Sequence, residues 1–351
     1  MEIGIDSFVA ALRSGGAGES PVARMHNLVE QIVLADQVGL DVFGIGEHHR
    51  REFLDSATPV ILGAAAARTT QIRLTSAVTV LSAIDPVRLF QQFATVDLLS
   101  NGRAEIVAGR GSFIDAFPLF GLRLDDYDAL FEDHLDLLLA LREHEHVTWS
   151  GRFRPALTGQ GVFPRPVQQP LPVWVGVGGT PKSFARAGAL GLPLMVAIIG
   201  GETRRFRRLT DLYRETAERF GHPEESRKVG VHSLGYVAAS QREAADDFFP
   251  GYATAFESVA RERGWGQVTR GRFDAQLGPH GALLLGEPEQ VVEKVLRHSA
   301  SLGGIARITF QMDAALLSHA KAMRATELLG TRVAPLLRRE LGDGTHAHGA
   351  G

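Results

Sequence analysis

From Ile3 to Gln311 the chain alternates short, β-rich apolar runs with longer stretches patterned at helical spacing, eight times over. Such alternation marks a parallel sheet whose strands are joined by crossover helices. The runs are Ile3–Asp6, Val42–Gly46, Ile72–Val80, Ala104–Gly109, Val173–Val177, Leu194–Ile198, Val229–Val237 and Ile305–Gln311. Eight is the number at which a parallel sheet closes on itself, so the expected class is α/β: a (β/α)8 barrel with loop insertions at its C-terminal mouth. One barrel domain is expected over residues 1–340, followed by a disordered tail over 341–351 that is rich in Gly and His.

The helices between the runs announce their own ends. Val22–Val38 stops at Gly39, Asp85-Pro86 reads as an N-cap followed by a proline in the first turn, and Asp126–His144 and Glu202–Phe220 are long amphipathic patterns. Three stretches exceed ordinary connections. Residues 7–21 form a first loop able to cover the barrel mouth, residues 147–172 carry five prolines and read as an ordered excursion or short hairpin, and part of 264–284 is a lid candidate.

Composition narrows the chemistry. With 44% hydrophobic residues and 351 positions the chain buries a large core, and a net charge of −3 from interspersed acids and bases leaves no footprint for nucleic acid or an anionic membrane. There is no cysteine, so disulfides, thiolate nucleophiles and Cys-based metal sites are excluded, and redox chemistry falls to a cofactor. No segment resembles a signal peptide or a run of about 18 apolar residues, so a cytoplasmic location is expected.

In a barrel of this kind the reactive groups sit at the C-terminal strand ends. After the second run stands Gly46-Glu47-His48-His49. Two imidazoles and a carboxylate suit proton transfer, and His48 is preferred for it over a merely hydrogen-bonded loop histidine. Glu47 and His49 complete the catalytic candidates, while metal binding lacks further ligands. In the third run, the small residues Ala77, Val78 and Thr79 either let a flat ring lie against the backbone or simply fill the barrel.

After the fourth run, Arg110, Gly111 and Ser112 offer a phosphate donor on a close-approach loop, or an ordinary tight turn with an ion-paired arginine. After the fifth, Gly178, Gly179, Thr180 and Ser183 open a helix at Pro181, where free N–H groups and hydroxyls make an anion cradle that Arg110 from the neighbouring strand can close. No Walker A motif is present, and the GxGxxG pattern from Gly176 fails at Pro181. The cradle suits one phosphate. Phe113, Phe117, Phe120, Ile199 and Gln311 either face a substrate or pack.

The ordered set Asp41, Gly46-Glu47-His48-His49, Ile72 to Val78, Asp85-Pro86-Val87-Arg88, Ser100-Asn101-Gly102-Arg103, Gly109-Arg110-Gly111, Gly178-Gly179-Thr180-Pro181 and Gly286-Glu287-Pro288-Glu289 resembles the bacterial luciferase-like, flavin-dependent monooxygenases. The resemblance covers about residues 2–340. It implies a dimeric barrel binding FMN at the C-terminal mouth, with His48 at the reactive flavin edge. Ala77-Val78 would lie under the ring, often with a non-prolyl cis peptide, and Arg110, Thr180 and Ser183 would hold the phosphate. Bacterial luciferase itself has a cysteine where this chain has Gly109 and a glutamate where it has Gly179, so light emission from a long-chain aldehyde is not implied.

The leading expectation is a two-component monooxygenase: FMNH2 arrives from a separate flavin reductase, and one oxygen atom of O2 passes to a small organic substrate. The alternatives are an F420-dependent hydride-transfer enzyme and a non-catalytic flavin-binding barrel.

Overall fold

The computed structural model describes residues 1–11, 19–262, 264 and 266–343. Eight strands form its centre: β1 (Glu2–Ser7), β2 (Val42–Ile45), β3 (Arg73–Ser76), β4 (Ala104–Gly109), β5 (Val173–Val177), β6 (Leu194–Ala197), β7 (Val229–Val237) and β8 (Arg307–Gln311). Each pairs in parallel with the next. The last returns to β1, with Glu2 opposite Arg307 and Asp6 opposite Gln311. The sheet is therefore a closed barrel wrapped by helices, and all eight expected strands are present.

Local chemistry sets the element boundaries. Ser20 caps the helix Pro21–Gln37 by accepting from the Ala23 N–H, and Asp85 caps Pro86–Ser100 by accepting from Val87 and Arg88. Asn101, in the left-handed region, ends the latter. The proline-rich excursion is a two-stranded hairpin, His146–Trp149 against Leu157–Gly161.

Two expectations need amending. The Ile72–Val80 run is not one strand: β3 stops at Ser76, the Ala77–Val78 peptide is cis, and pairing with β4 resumes only at Thr79–Val80. The last helix, Ala334–Asp343, runs past the point where a disordered tail was expected, and residues 344–351 lie outside the described ones. Residues 12–18 of the first loop and Trp265 of the lid candidate also lie outside them.

The described part of 264–284 is tied down. Lys294, buried on the helix Pro288–Ser301, donates to the carbonyls of Gln276, Leu277 and Leu283. One turn on, His298 Nε2 donates to the Gly281 carbonyl at 3.2 Å.

The barrel interior holds a buried charge network. Arg307 on β8 donates to Glu105 on β4 and, at 2.7 Å, to Glu2 on β1, and its guanidinium lies 4.2 Å from the ring centroid of Trp174 on β5. Burial alone would lower the affinity of Arg307 for its proton, but the two carboxylates override it and hold the group charged. Removing one partner of a buried pair strands the other. Glu105→Ala is expected to lower the free energy of unfolding in urea by about 3–5 kcal/mol; a change under about 1 kcal/mol would mean that Glu2 alone suffices.

His298 gives a second test. Burial, helped by the nearby Lys294 charge, pushes its pKa down to about 4, against about 6.5 in an unfolded chain. Between these values the unfolded state takes up the proton first, so this contribution is complete above pH about 6.5 and is lost as pH falls to about 4, amounting to roughly 3 kcal/mol. Thermal melts from pH 7 to 4 should show a shallower acid decline for His298→Gln than for the natural protein; parallel declines would remove His298 from the acid response.

Candidate active site

The C-terminal strand ends enclose a cavity of about 340 Å³, a volume within the roughly 300–1,000 Å³ of small-molecule sites. Its floor follows from β3. Where the chain turns through the cis peptide, the Val78 side chain drops between Gly109 and Gly176. A Cβ at either glycine would lie 2.4 or 2.6 Å from a Val78 methyl. Ser76 Oγ exchanges hydrogen bonds with the backbone of Val107 at 3.0 and 3.2 Å, clamping β3 to β4.

On one wall stands His48. Its Nδ1 donates to Asp55 Oδ2 at 2.8 Å, and its own N–H donates to the other oxygen of the same carboxylate at 3.1 Å. Burial pushes the Asp55 carboxyl up, and the hydrogen bond and charge of His48 only partly pull it back. Phe53 stacks on the imidazole with 4.3 Å between centroids. Such a histidine is fixed in tautomer and orientation, with Nε2 as its exchangeable proton site.

The neighbours of His48 do other work. Glu47 lines the cavity, yet its carboxylate accepts from the Val80 N–H and pairs with His49 Nε2, each at 3.0 Å. His49 lies outside this cavity, edge-on to Phe120. Thr79 is buried in the strand ladder opposite Ala108 and also lies outside the lining.

Across the mouth is the anion cradle. Arg110 is ion-paired with Asp128 and donates to Ser183 Oγ at 3.3 Å. The helix Pro181–Ala189 begins here with Thr180 as its cap residue, whose side chain makes no capping bond. A Cβ at Gly178 would meet nothing within 4 Å, so backbone there opens directly on the cavity. Arg110, Gly111, Ser112, Gly178 and Thr180 line the space, Ala77 and Val78 form its base, and Gly179 and Ser183 stand behind. Tyr127 donates to the Gly111 carbonyl at 2.9 Å, fixing the loop that carries Arg110. One cation, a helix N-terminus and two hydroxyls fit a single phosphate.

The sequence reading missed a second carboxylate-backed histidine. His232 on β7 donates from Nδ1 to Asp6 Oδ2 on β1 at 2.7 Å, and Thr309 on β8 donates to the same oxygen. Asp6 Oδ1 is buried without a partner, an acceptor for an N–H or O–H of a bound molecule. Phe8 lies between the two histidines, stacked on His232 at 5.5 Å and tilted against His48 at 4.7 Å.

Beyond them opens a second, more apolar pocket of about 140 Å³, sharing Phe8, His48, Ser112, Ile199 and His232 with the first. The helix Gln241–Glu262 supplies its outer wall through Ala255, Phe256 and Val259, whereas no described residue of 264–284 lines either space. Phe113, Ile199 and Gln311 reach this pocket; Phe117 is buried beside Tyr127 and Phe120 is exposed. Among the described residues there is no cluster of three or more metal-ligating side chains, and no helix is long and apolar enough to cross a membrane.

Residues 1–304 match the family described as luciferase-like monooxygenase. The uncharacterized protein y4vJ of Sinorhizobium fredii is 31% identical over 195 residues, 55% of each chain. An F420-dependent glucose-6-phosphate dehydrogenase of Amycolatopsis mediterranei is 30% identical over 174 residues, 46% of this chain and 51% of that protein. The chain thus spans about half the length of the curated relatives it matches. The barrel also superposes on the oxygenating constituent of 3,6-diketocamphane monooxygenase of Pseudomonas putida, solved with FMN. That match has a TM-score of 0.77 at 20% identity and covers 95% of this chain and 98% of the other. A family match over most of the barrel that carries this site shows that the chain belongs to the luciferase-like monooxygenases; of the proteins named here, one was solved with FMN and another is F420-dependent.

Proposed function

We propose that the protein is an FMN-dependent monooxygenase that receives reduced flavin from a separate reductase and transfers one oxygen atom of O2 to a small organic substrate. The observation that carries this reading is the continuity of the two spaces: a one-phosphate cradle and ring-sized cavity opening, past His48, into an apolar pocket. The exposed apolar side chains Val60, Leu98 and Leu99, on the packed helices Thr58–Ala66 and Pro86–Ser100, support a homodimer through that face.

Reduced flavin, when bound, supplies the electrons that activate O2. The chain's own residues do the rest. Arg110, Ser183, Thr180 and the backbone from Gly178 hold the phosphate. Val78 sets the level of the ring site, and Asp6 Oδ1 offers it an acceptor. His48, oriented by Asp55, holds or delivers a proton at Nε2. Phe8, Phe53 and Phe113 exclude water at the junction, which strengthens every polar contact there.

Anaerobic titration with FMNH2 should show saturable binding, and mixing with oxygenated buffer a transient absorbance distinct from oxidised and reduced flavin. Binding of F420 in preference to FMN, with hydride transfer and indifference to O2, would replace this reading. Flavin binding without turnover on any substrate would instead indicate storage.

His48→Ala should reduce single-turnover product formation by about 10²–10⁴-fold, the usual weight of a positioned proton-transfer group, while changing FMN affinity by less than about threefold. Asp55→Asn should fall between the two, because the hydrogen bond can persist while the charge does not. Unchanged turnover in His48→Ala would take His48 out of the mechanism.

A further inference from the structure

Among the described residues that line the apolar pocket beside the ring cavity, one has a buried side-chain atom with no hydrogen-bond partner. Gln311, at the C-terminal end of β8 and 3% exposed, has its Oε1 buried and unbonded, while its Nε2 donates to Asp313 Oδ1. Its orientation is set by the neighbour rather than by chance. Asp313 Oδ2 already accepts from Ser7 Oγ at 2.9 Å and from the N–H groups of Phe8 at 2.8 Å and Ala10 at 3.3 Å, with Arg24 3.6 Å away. That carboxylate already accepts from three donors, so turning the Gln311 amide over would set oxygen against oxygen. The carbonyl end is thus held away from Asp313, on a residue that lines the pocket.

The remaining polar groups of the pocket have partners of their own. His232 gives its Nδ1 proton to Asp6 and His48 its own to Asp55, so on each ring only Nε2 is left to meet a ligand. Arg50, the cation at the rim, lies within 3.7 Å of Glu52 and 3.8 Å of Asp115 and stacks over Phe113 at 4.5 Å, so its charge is already balanced. Glu52 and Ser112 also line the wall, and the remainder is apolar or aromatic, with Phe8, Phe53, Phe113, Leu234, Phe256 and Val259 foremost.

We infer that the pocket takes a neutral, hydroxylated ring compound, an aromatic or alicyclic alcohol, whose O–H donates to Gln311 Oε1. A fully ionised group has no hydrogen to give that carbonyl, and an unsubstituted hydrocarbon or an ether would likewise leave it buried and unpaired, the costliest outcome for a polar group. Gln311 is then the specificity-determining residue, and Asp313 positions it. The inference rests on the proposed reading of the larger cavity as the ring site, since that makes this pocket the place of the substrate.

The test uses 2-naphthol and naphthalene, which share a ring system and differ in the hydroxyl, measured by equilibrium dialysis against the FMN-loaded protein. The natural protein should prefer 2-naphthol by at least about tenfold, and Gln311→Met should bring the two to parity or reverse them. Ala255→Trp, which fills the pocket from the helix Gln241–Glu262 without touching Gln311, should weaken both probes equally and leave FMN binding intact. Equal or tighter binding of naphthalene by the natural protein, an undiminished preference in Gln311→Met, or failure of both probes to bind overturns the inference. If Gln311→Met does not fold, the preference of the natural protein and the equal weakening of both probes in Ala255→Trp decide the matter. If the protein takes up no FMN, the proposed function fails separately, and the same probe ratios in the unloaded protein still judge Gln311.

Discussion

Arg307 reaches across the inside of the barrel and joins strands that are far apart in the chain: β8 to β4 through Glu105, to β1 through Glu2, and to β5 through the face of Trp174. Most of the core is apolar and directionless, a matter of filling space. A guanidinium has a fixed fork, and its partners must stand where the fork points. The network therefore fixes the register of the lower barrel. What lies above is placed relative to that layer: Thr309 with His232 opposite it, then Asp6, then the strand ends with His48 and Arg110.

The site is assembled on the same logic of paired groups. Two histidines face the junction of the cavities, each backed by a buried carboxylate, and a phenylalanine ring separates them. The backing carboxylates have different settings. Asp55 spends both oxygens on His48, whereas Asp6 retains one oxygen without a partner. Similar chemistry is thus offered to the two sides of the junction with unequal capacity to accept a further hydrogen bond. The opposite wall, with Arg110 and the start of the helix Pro181–Ala189, offers a cation beside free backbone N–H groups, a combination suited to an anion.

Much of this was legible in the sequence, and the reason is local. A parallel barrel strand is buried on both faces, so Val173–Val177 or Leu194–Ala197 stands out as an apolar run, and Gly-Gly-Thr-Pro before a helix exposes its own N–H groups. What stayed hidden depends on partners that only folding brings together. His232 lies in a run that reads as an ordinary strand, and its carboxylate is 226 positions away. The acceptor role of Gln311 follows from the orientation imposed by Asp313, which no spacing rule encodes. The third run misled because Ala77-Val78 keeps the composition of a strand while its backbone leaves the ladder. His49 was grouped with His48 by adjacency alone, yet successive residues point apart, and its ring turns to Glu47 and Phe120.

The wedge formed by Val78 between Gly109 and Gly176 links three positions into one packing unit. A β-carbon at Gly109 would lie 2.4 Å from one Val78 methyl, and a β-carbon at Gly176 2.6 Å from the other. Neither glycine can take a side chain unless residue 78 shrinks, and a smaller residue 78 lowers the base of the cavity. The depth of this seat is therefore tied to two glycines on other strands, far along the chain from the residue that forms it.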